Sequence, residues 1–215
     1  MAILSRQIGW GTESNLLWQI LKQLKQLASV IFSLKQAATP KYKVYTALLS
    51  QIGTSDPLNI SSGDLTIGVT YYIDDAGGGD FTNVGAPNNN NGTYFVATGT
   101  TPNSWGTGAN LIYDSGAPIV IVLENTIGNI WWTYVDTGQY SINTSDGTFN
   151  FKKTYTVLQL WADDSLSPRS GFAQRISDNQ IFLVNRDYAG NSANIIGDLN
   201  PLNGFLTSIE IRVYN

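Results

Sequence analysis

Two residue types are missing from this chain, and charge is scarce. The 215 residues include no cysteine, which excludes disulfides, thiolate nucleophiles and cysteine-ligated metal sites. They include no histidine, which removes the commonest general base near neutral pH and the commonest transition-metal ligand. Charged residues make up 13% of the chain, about half the usual share of roughly 25%. We therefore expect packing and association between chains, rather than disulfides, to stabilise the fold.

The remaining composition indicates an ordered protein with few classes of partner. Aromatic residues make up 12% of the chain, which is typical of a packed rather than a disordered segment. A net charge of −4 disfavours a phosphate-binding surface, so we expect no nucleic-acid partner. Arg6 interrupts the first apolar residues, and Lys22, Lys25 and three glutamines interrupt the stretch 16–34. We accordingly expect neither a signal peptide nor membrane insertion.

A helical heptad pattern runs from about Glu13 to Lys35. Six apolar residues alternate between heptad positions a and d, namely Leu17, Ile20, Leu24, Leu27, Ile31 and Leu34. This spacing predicts the seam of a left-handed coiled coil. Leucine dominates the a positions and isoleucine holds one d position, which favours three or more strands over two. The seam thus predicts a helical oligomerisation segment over residues 13–37, ended by Pro40.

The same stripe has an alternative interpretation, and the residues before it are open to two. One amphipathic helix packed on its own β domain would also need an apolar face. Residues 1–12 contain Gly9 and Gly11 and would serve either as a frayed terminus or as an anchoring peptide. In the anchoring interpretation, Ile8 and Trp10 are the residues that contact a larger partner.

The rest of the chain, residues 41–215, carries strand signals. Short runs rich in β-branched and aromatic residues recur between turns built from glycine, asparagine, aspartate and proline. The pattern predicts a mainly β fold, an antiparallel sandwich or barrel, following the helix. The polar block at about residues 54–116 predicts a β-rich insertion between two strands of one sheet system.

Several segments resemble virion structural proteins of tailed bacteriophages. They are YKVYTALLSQIG at 42–53, DFTNVGAPNNNNGTYFVATGTTPNSW at 80–105 and VIVLENTIGNIWWTYVDTGQY at 120–140, together with the opening IGWGTESNLLWQILKQLKQL at 8–27. The phages concerned infect Bacteroidetes-type hosts and include the crAss-like phages. The architecture is most similar to that of a head fibre, in which a short helix bundle carries a β-sandwich head.

The resemblance implies a non-enzymatic homotrimer located in the virion. Its partners would be two further copies and another virion protein, either the capsid protein or a capsid-decoration protein. A tail or neck appendage fibre is the alternative, as is an adhesin whose distal loops bind a host-surface glycan.

Catalytic and metal sites are weakly indicated. Asp74, Asp75 and Asp80 flank a glycine turn but lack the alternating spacing of a calcium loop. The absence of histidine excludes a His-based triad, and no pair of carboxylates is singled out by its spacing. We expect no catalytic residue, no cofactor and no metal.

Exposed aromatic residues are the remaining candidates for a binding site. Trp131 and Trp132 are adjacent in a predicted strand, so they point to opposite faces and at most one lies in the core. We predict Trp105 and Trp132 as the aromatics that face a ligand, for which a host-surface glycan is the expected class.

Overall fold

The computed structural model describes residues 4–38, 41–51, 53, 56–159, 170–187, 189–193 and 207–215, with the side chains of the helix described over residues 15–33. The chain divides into two compact units, Met1–Lys41 and Tyr42–Asn215. The first contains α1, and the described residues of the second form twelve β-strands. The mainly β class with a single N-terminal α-helix among the described residues is therefore confirmed.

Helix α1 spans Leu4–Ala38 and is longer than predicted. We expected it to begin at Glu13, with residues 1–12 outside it, but the helix already includes Gly9 and Gly11. A glycine inside a helix costs only about 1 kcal/mol relative to alanine. The neighbouring leucine, arginine and glutamine residues have high helix propensities, which offset the cost of both glycines. The C-terminal end at Ala38 lies just before Thr39 and Pro40, where a helix was expected to stop.

The strands follow in three antiparallel sheets. Their bounds are β1 Tyr42–Ser50, β2 Pro57–Ile60, β3 Thr70–Asp75, β4 Tyr94–Val96, β5 Asn110–Asp114, β6 Ile119–Asn125, β7 Ile130–Asp136, β8 Gln139–Thr144, β9 Thr154–Gln159, β10 Ser170–Ser177, β11 Gln180–Arg186 and β12 Thr207–Tyr214. The first sheet has the order β6-β1-β12-β9, and the second has the order β10-β11-β8-β7. The insertion sheet has the order β2-β5-β3-β4.

The first and second sheets bury a common hydrophobic core. In β12, Ile209, Ile211 and Val213 are buried and alternate with the more exposed Glu210 and Arg212, as expected for a strand with one face in the core. The second sheet contributes large side chains to the same cluster, including Trp132, Tyr140, Ile142, Ile181 and Leu183. The two sheets therefore pack face to face.

The insertion lies between two strands that are neighbours in space. Strands β1 and β6 pair with each other in the first sheet, and the chain between them forms β2 to β5. The insertion sheet has its own core, which contains Leu65, Tyr71, Ile73, Phe81, Phe95 and Leu111. Gly106 sits where this segment is most crowded, because a Cβ there would lie 2.0 Å from the Gly77 carbonyl oxygen. The insertion is therefore an ordered sheet rather than a loose loop.

Candidate functional site

The apolar stripe of α1 is exposed over its described length. Five residues of the predicted seam have exposed fractions between 47% and 62%, namely Leu17, Ile20, Leu24, Leu27 and Ile31. The flanking Leu16, Leu21 and Val30 are exposed as well. A contiguous exposed apolar surface of this kind is unusual on a monomeric soluble protein. Leu34, Ile8 and Trp10 lie on the helix backbone, but their side chains are outside the described residues.

Asp80 organises the polar loops of the insertion. One carboxylate oxygen accepts hydrogen bonds from the Thr82 hydroxyl at 2.7 Å, the Thr82 backbone N–H at 3.0 Å and the Asn89 amide at 3.1 Å. The other accepts from the Asn103 amide at 2.9 Å. These hydrogen bonds lower the pKa of Asp80 far below its ordinary value, and the bond from the Thr82 hydroxyl has the largest effect. The loops that carry Thr82, Asn89 and Asn103 are therefore held together by internal hydrogen bonds to Asp80.

Trp105 takes part in the packing of the insertion. Its indole N–H donates to the Gly63 carbonyl oxygen at 3.0 Å, and its ring meets Phe81 edge to face at 5.4 Å between centroids. The side chain is partly buried against the insertion core. The structure thus uses both the polar group and one surface of this predicted ligand-facing residue inside the fold.

Trp132, predicted to face a ligand, has a fully buried side chain, although the residue is among those that line the cleft described below. Its indole N–H donates to the Tyr45 hydroxyl at 3.1 Å, across the core between the first and second sheets. Burial raises the pKa of that hydroxyl above its ordinary value, an effect that outweighs the opposing hydrogen bond from Trp132. Trp131 occupies the other face and is the partly exposed tryptophan. The two tryptophans point to opposite faces of the strand, as predicted. The polar residue Thr133 shares a face with Trp131 and indicates that this face is the exposed one.

A cleft that the sequence did not predict lies between the insertion sheet and β7. We call it the aromatic cleft, and its volume is about 490 Å³. Its lining consists of Pro57, Thr70, Tyr72, Tyr94, Ile112, Tyr113, Asp114, Ala117, Trp132, Thr133 and Tyr134. Pairing of β3 with β4 places Tyr72 directly opposite Tyr94. The backbone N–H of Trp132 donates to the Thr70 hydroxyl at 3.2 Å, which fixes β7 beside the insertion.

A row of three aromatic rings runs out of the aromatic cleft. The Tyr72 and Tyr94 rings are 4.7 Å apart between centroids. Tyr94 in turn stacks on Trp131 at 5.4 Å, with only 7° between the ring planes. The Asn129 amide donates to the Tyr94 carbonyl oxygen at 3.0 Å and ties β4 to the start of β7. The rings are therefore held in place by pairing within the insertion and by contact with β7.

No group of three or more aspartate or glutamate side chains able to hold a metal ion occurs among the described residues, Asp74, Asp75 and Asp80 included. In the described part of the chain, no helix is long and apolar enough to cross a membrane. Comparison with protein-family models, curated proteins and solved structures finds no match for this chain.

Proposed function

We propose that this chain is a non-enzymatic structural subunit that assembles as a homotrimer through α1. The observation that carries the proposal is the apolar seam of α1, in which Leu17, Ile20, Leu24, Leu27 and Ile31 are all exposed. An isolated helix is stabilised mainly by burial of its apolar face, so a helix of this length needs a partner for the stripe. A second and a third copy of α1 supply the same stripe in the same register.

The composition of the seam favours three chains over two. The described a positions carry Leu17, Leu24 and Ile31, and the described d positions carry Ile20 and Leu27. Parallel dimers prefer β-branched residues at a and leucine at d, which is not the arrangement here. The exposed apolar residues Leu16, Leu21 and Val30 at the flanking g and e positions widen the face. A wider face is covered more completely by two neighbouring helices than by one.

The particle setting rests on the resemblance to phage virion proteins. In this proposal, a trimeric stalk carries three β-sandwich heads and forms a head fibre of the virion. Residues 1–12, with Ile8 and Trp10, bind the capsid protein or a capsid-decoration protein. A tail or neck appendage fibre uses the same parts with a different anchor. The mainly β unit beyond a single helix is the coarse architecture that both settings require.

Multi-angle light scattering of the full chain beside a truncation that begins at Tyr42 tests the assembly. Tyr42 is the first residue of the second compact unit, which contains its own two cores. We expect three chain masses for the full protein and one for the truncation. A monomeric full chain would remove the homotrimer, and a trimer that survives truncation would transfer assembly to the β unit. Co-sedimentation with isolated phage capsids, present for the full chain and absent without residues 1–12, tests the anchor.

A further inference from the structure

We propose that the aromatic cleft binds a neutral saccharide. The proposal concerns the unit Tyr42–Asn215 and does not rest on the fibre assignment. The volume of about 490 Å³ falls in the usual range of small-molecule sites, roughly 300–1,000 Å³. The cleft is open to one side, as a site for part of a longer chain would be. The chemistry of its lining then selects the class of ligand.

The aromatic rings offer stacking surfaces of the kind that sugars use. A pyranose ring has an apolar C–H face and a rim of hydroxyl groups, and it packs its apolar face on an aromatic ring. Tyr72 and Tyr94 both line the cleft and are only partly buried. Their mutual contact at 4.7 Å holds each ring in place, so little side-chain entropy is lost when a ligand binds. Two fixed, partly exposed rings therefore line the place where the apolar side of a sugar would pack.

Polar groups around the rings match the hydroxyl rim. In the described part of the chain, the hydroxyls of Tyr72 and Tyr94 have no hydrogen-bond partner, so both can donate to and accept from a ligand. Asp114 accepts the Gly116 backbone N–H at 2.8 Å with one oxygen, which leaves the second to accept from a sugar hydroxyl. The Thr133 hydroxyl accepts from the Asn143 amide at 3.2 Å and keeps its own proton for donation. Donors and acceptors thus surround the stacking surface.

The charge of the lining selects a neutral ligand. None of the described residues that line the cleft is a lysine or an arginine, whereas Asp114 contributes a carboxylate. Phosphates, nucleotides and acidic sugars would meet that carboxylate with no cation to offset it. A purely apolar ligand would leave the Tyr72, Tyr94 and Asp114 oxygens without bonds. A neutral molecule with both an apolar face and hydroxyl groups satisfies every one of these groups.

The surface beyond the cleft favours a ligand of more than one sugar. Trp131 continues the row of rings onto the outer face of the second sheet, where strand pairing places it beside Asn143 and Asn143 beside Gln180. Gln180 donates to Asn143 at 3.3 Å, so the amides form a connected, uncharged row. Side-chain amides and an indole ring continue the same chemistry as the cleft. We infer a linear oligosaccharide whose end or middle occupies the cleft and whose next unit lies over Trp131.

The test uses the full chain on an array of neutral oligosaccharides built from glucose, galactose and N-acetylglucosamine, with sialylated and phosphorylated sugars beside them. Sugars that bind are titrated by isothermal calorimetry against four variants. Tyr72→Ala removes a stacking ring, while Tyr72→Phe and Asp114→Asn change hydrogen bonding at nearly constant shape. Tyr155→Ala is the matched control, because it removes an exposed tyrosine from β9, outside the cleft.

We expect binding to neutral sugars, and we expect Tyr72→Ala to weaken it by about tenfold or more, equivalent to about 1.4 kcal/mol. Tyr72→Phe and Asp114→Asn should each weaken it by a smaller factor with unfolding curves unchanged, and Tyr155→Ala should leave it intact. The proposal is overturned if no neutral sugar binds, if acidic or phosphorylated sugars bind better, or if all cleft variants keep full affinity. A trimer that binds no sugar overturns this proposal alone, and a monomer that binds sugar through the cleft overturns only the homotrimer.

Discussion

Truncation of one leucine in the seam gives the sharpest quantitative test of the homotrimer. Leu24 occupies an a position near the middle of the described seam and has an exposed fraction of 55% in the single chain. Replacement by alanine removes most of the side chain that a neighbouring helix would cover. Alanine has the higher helix propensity, so any loss of assembly cannot be attributed to loss of the helix.

The expected size of the effect follows from the exposed area. Complete burial of a leucine side chain contributes about 1.5–3 kcal/mol, and roughly half of the surface of Leu24 remains to be covered, so Leu24→Ala loses about 1 kcal/mol per chain. Three chains lose about 3 kcal/mol, which raises the trimer dissociation constant about 150-fold. That constant is the cube of the monomer concentration divided by the trimer concentration. The concentration at half-dissociation therefore rises with its square root, about twelvefold.

Sedimentation equilibrium over a dilution series measures that midpoint directly. Phe32→Ala is the control, because Phe32 lies on the same helix at a b position and is 64% exposed, outside the seam. We expect Phe32→Ala to leave the midpoint within a factor of about 3.5, since surface substitutions away from an interface change stability by less than about 0.5 kcal/mol per chain, or about 1.5 kcal/mol per trimer. Equal shifts in both variants, or a larger shift for Phe32→Ala, would refute the assignment of the seam.

Two further predictions concern hydrogen bonds inside the β unit. Tyr45→Phe leaves the indole N–H of Trp132 buried without an acceptor and should cost about 1–3 kcal/mol in urea unfolding. Burial raises the pKa of the Tyr45 hydroxyl above its ordinary 10.0, so the contribution of this hydroxyl to stability is fully present below pH 10 and is lost as the pH rises further. Tyr45→Phe should therefore lose less stability at alkaline pH than the unmodified chain. An equal alkaline loss in both proteins would contradict the burial argument. The pKa of Asp80 is lowered from 3.8, so its contribution is present above that pH and is lost on acidification. Asp80→Ala should therefore unfold more easily than the unmodified chain at neutral pH. On acidification below pH 4 it should lose less stability than Asp56→Ala, which removes an exposed aspartate and keeps Asp80. Tryptophan fluorescence against pH measures both variants, and a larger acid loss for Asp80→Ala would contradict the prediction.

The elements that could be predicted are those whose period is visible in a short window. The alternation in SIEIRVYN at 208–215 indicates a strand with one buried face, and β12 has that pattern. The heptad spacing indicates the helix, although its start at Leu4 rather than Glu13 could not be read. Gly9 and Gly11 are breakers only by about 1 kcal/mol each, and such a small penalty is overcome by favourable neighbours. Local propensity thus identifies an element more reliably than its boundary.

The aromatic cleft could not be predicted because its residues meet only through long-range pairing. Tyr72 and Tyr94 face each other through the register of β3 with β4, while Asp114 lies on β5 and Thr133 on β7 of another sheet. No short stretch of sequence contains more than two of these four positions. Strand alternation places Trp131 and Trp132 on opposite faces without saying which one lies in the core, and the indole of Trp132 meets Tyr45 there. Residue type signals a capacity for stacking, whereas only the sheet register decides which ring is accessible.

The two proposed activities depend on separate parts of the chain. The seam residues belong to the unit Met1–Lys41, and every residue that lines the aromatic cleft belongs to the unit Tyr42–Asn215. Their energetics differ as well, because the helix gains only when its apolar face is covered by other copies, while the cleft is formed by contacts within one chain. Variants of Leu24 should accordingly alter assembly without altering the affinity of a single cleft, and variants of Tyr72 should do the reverse. This independence is expected because the seam and the cleft belong to different units of the chain. A sugar site formed only on assembly would instead lose affinity when the Leu24 variants dissociate.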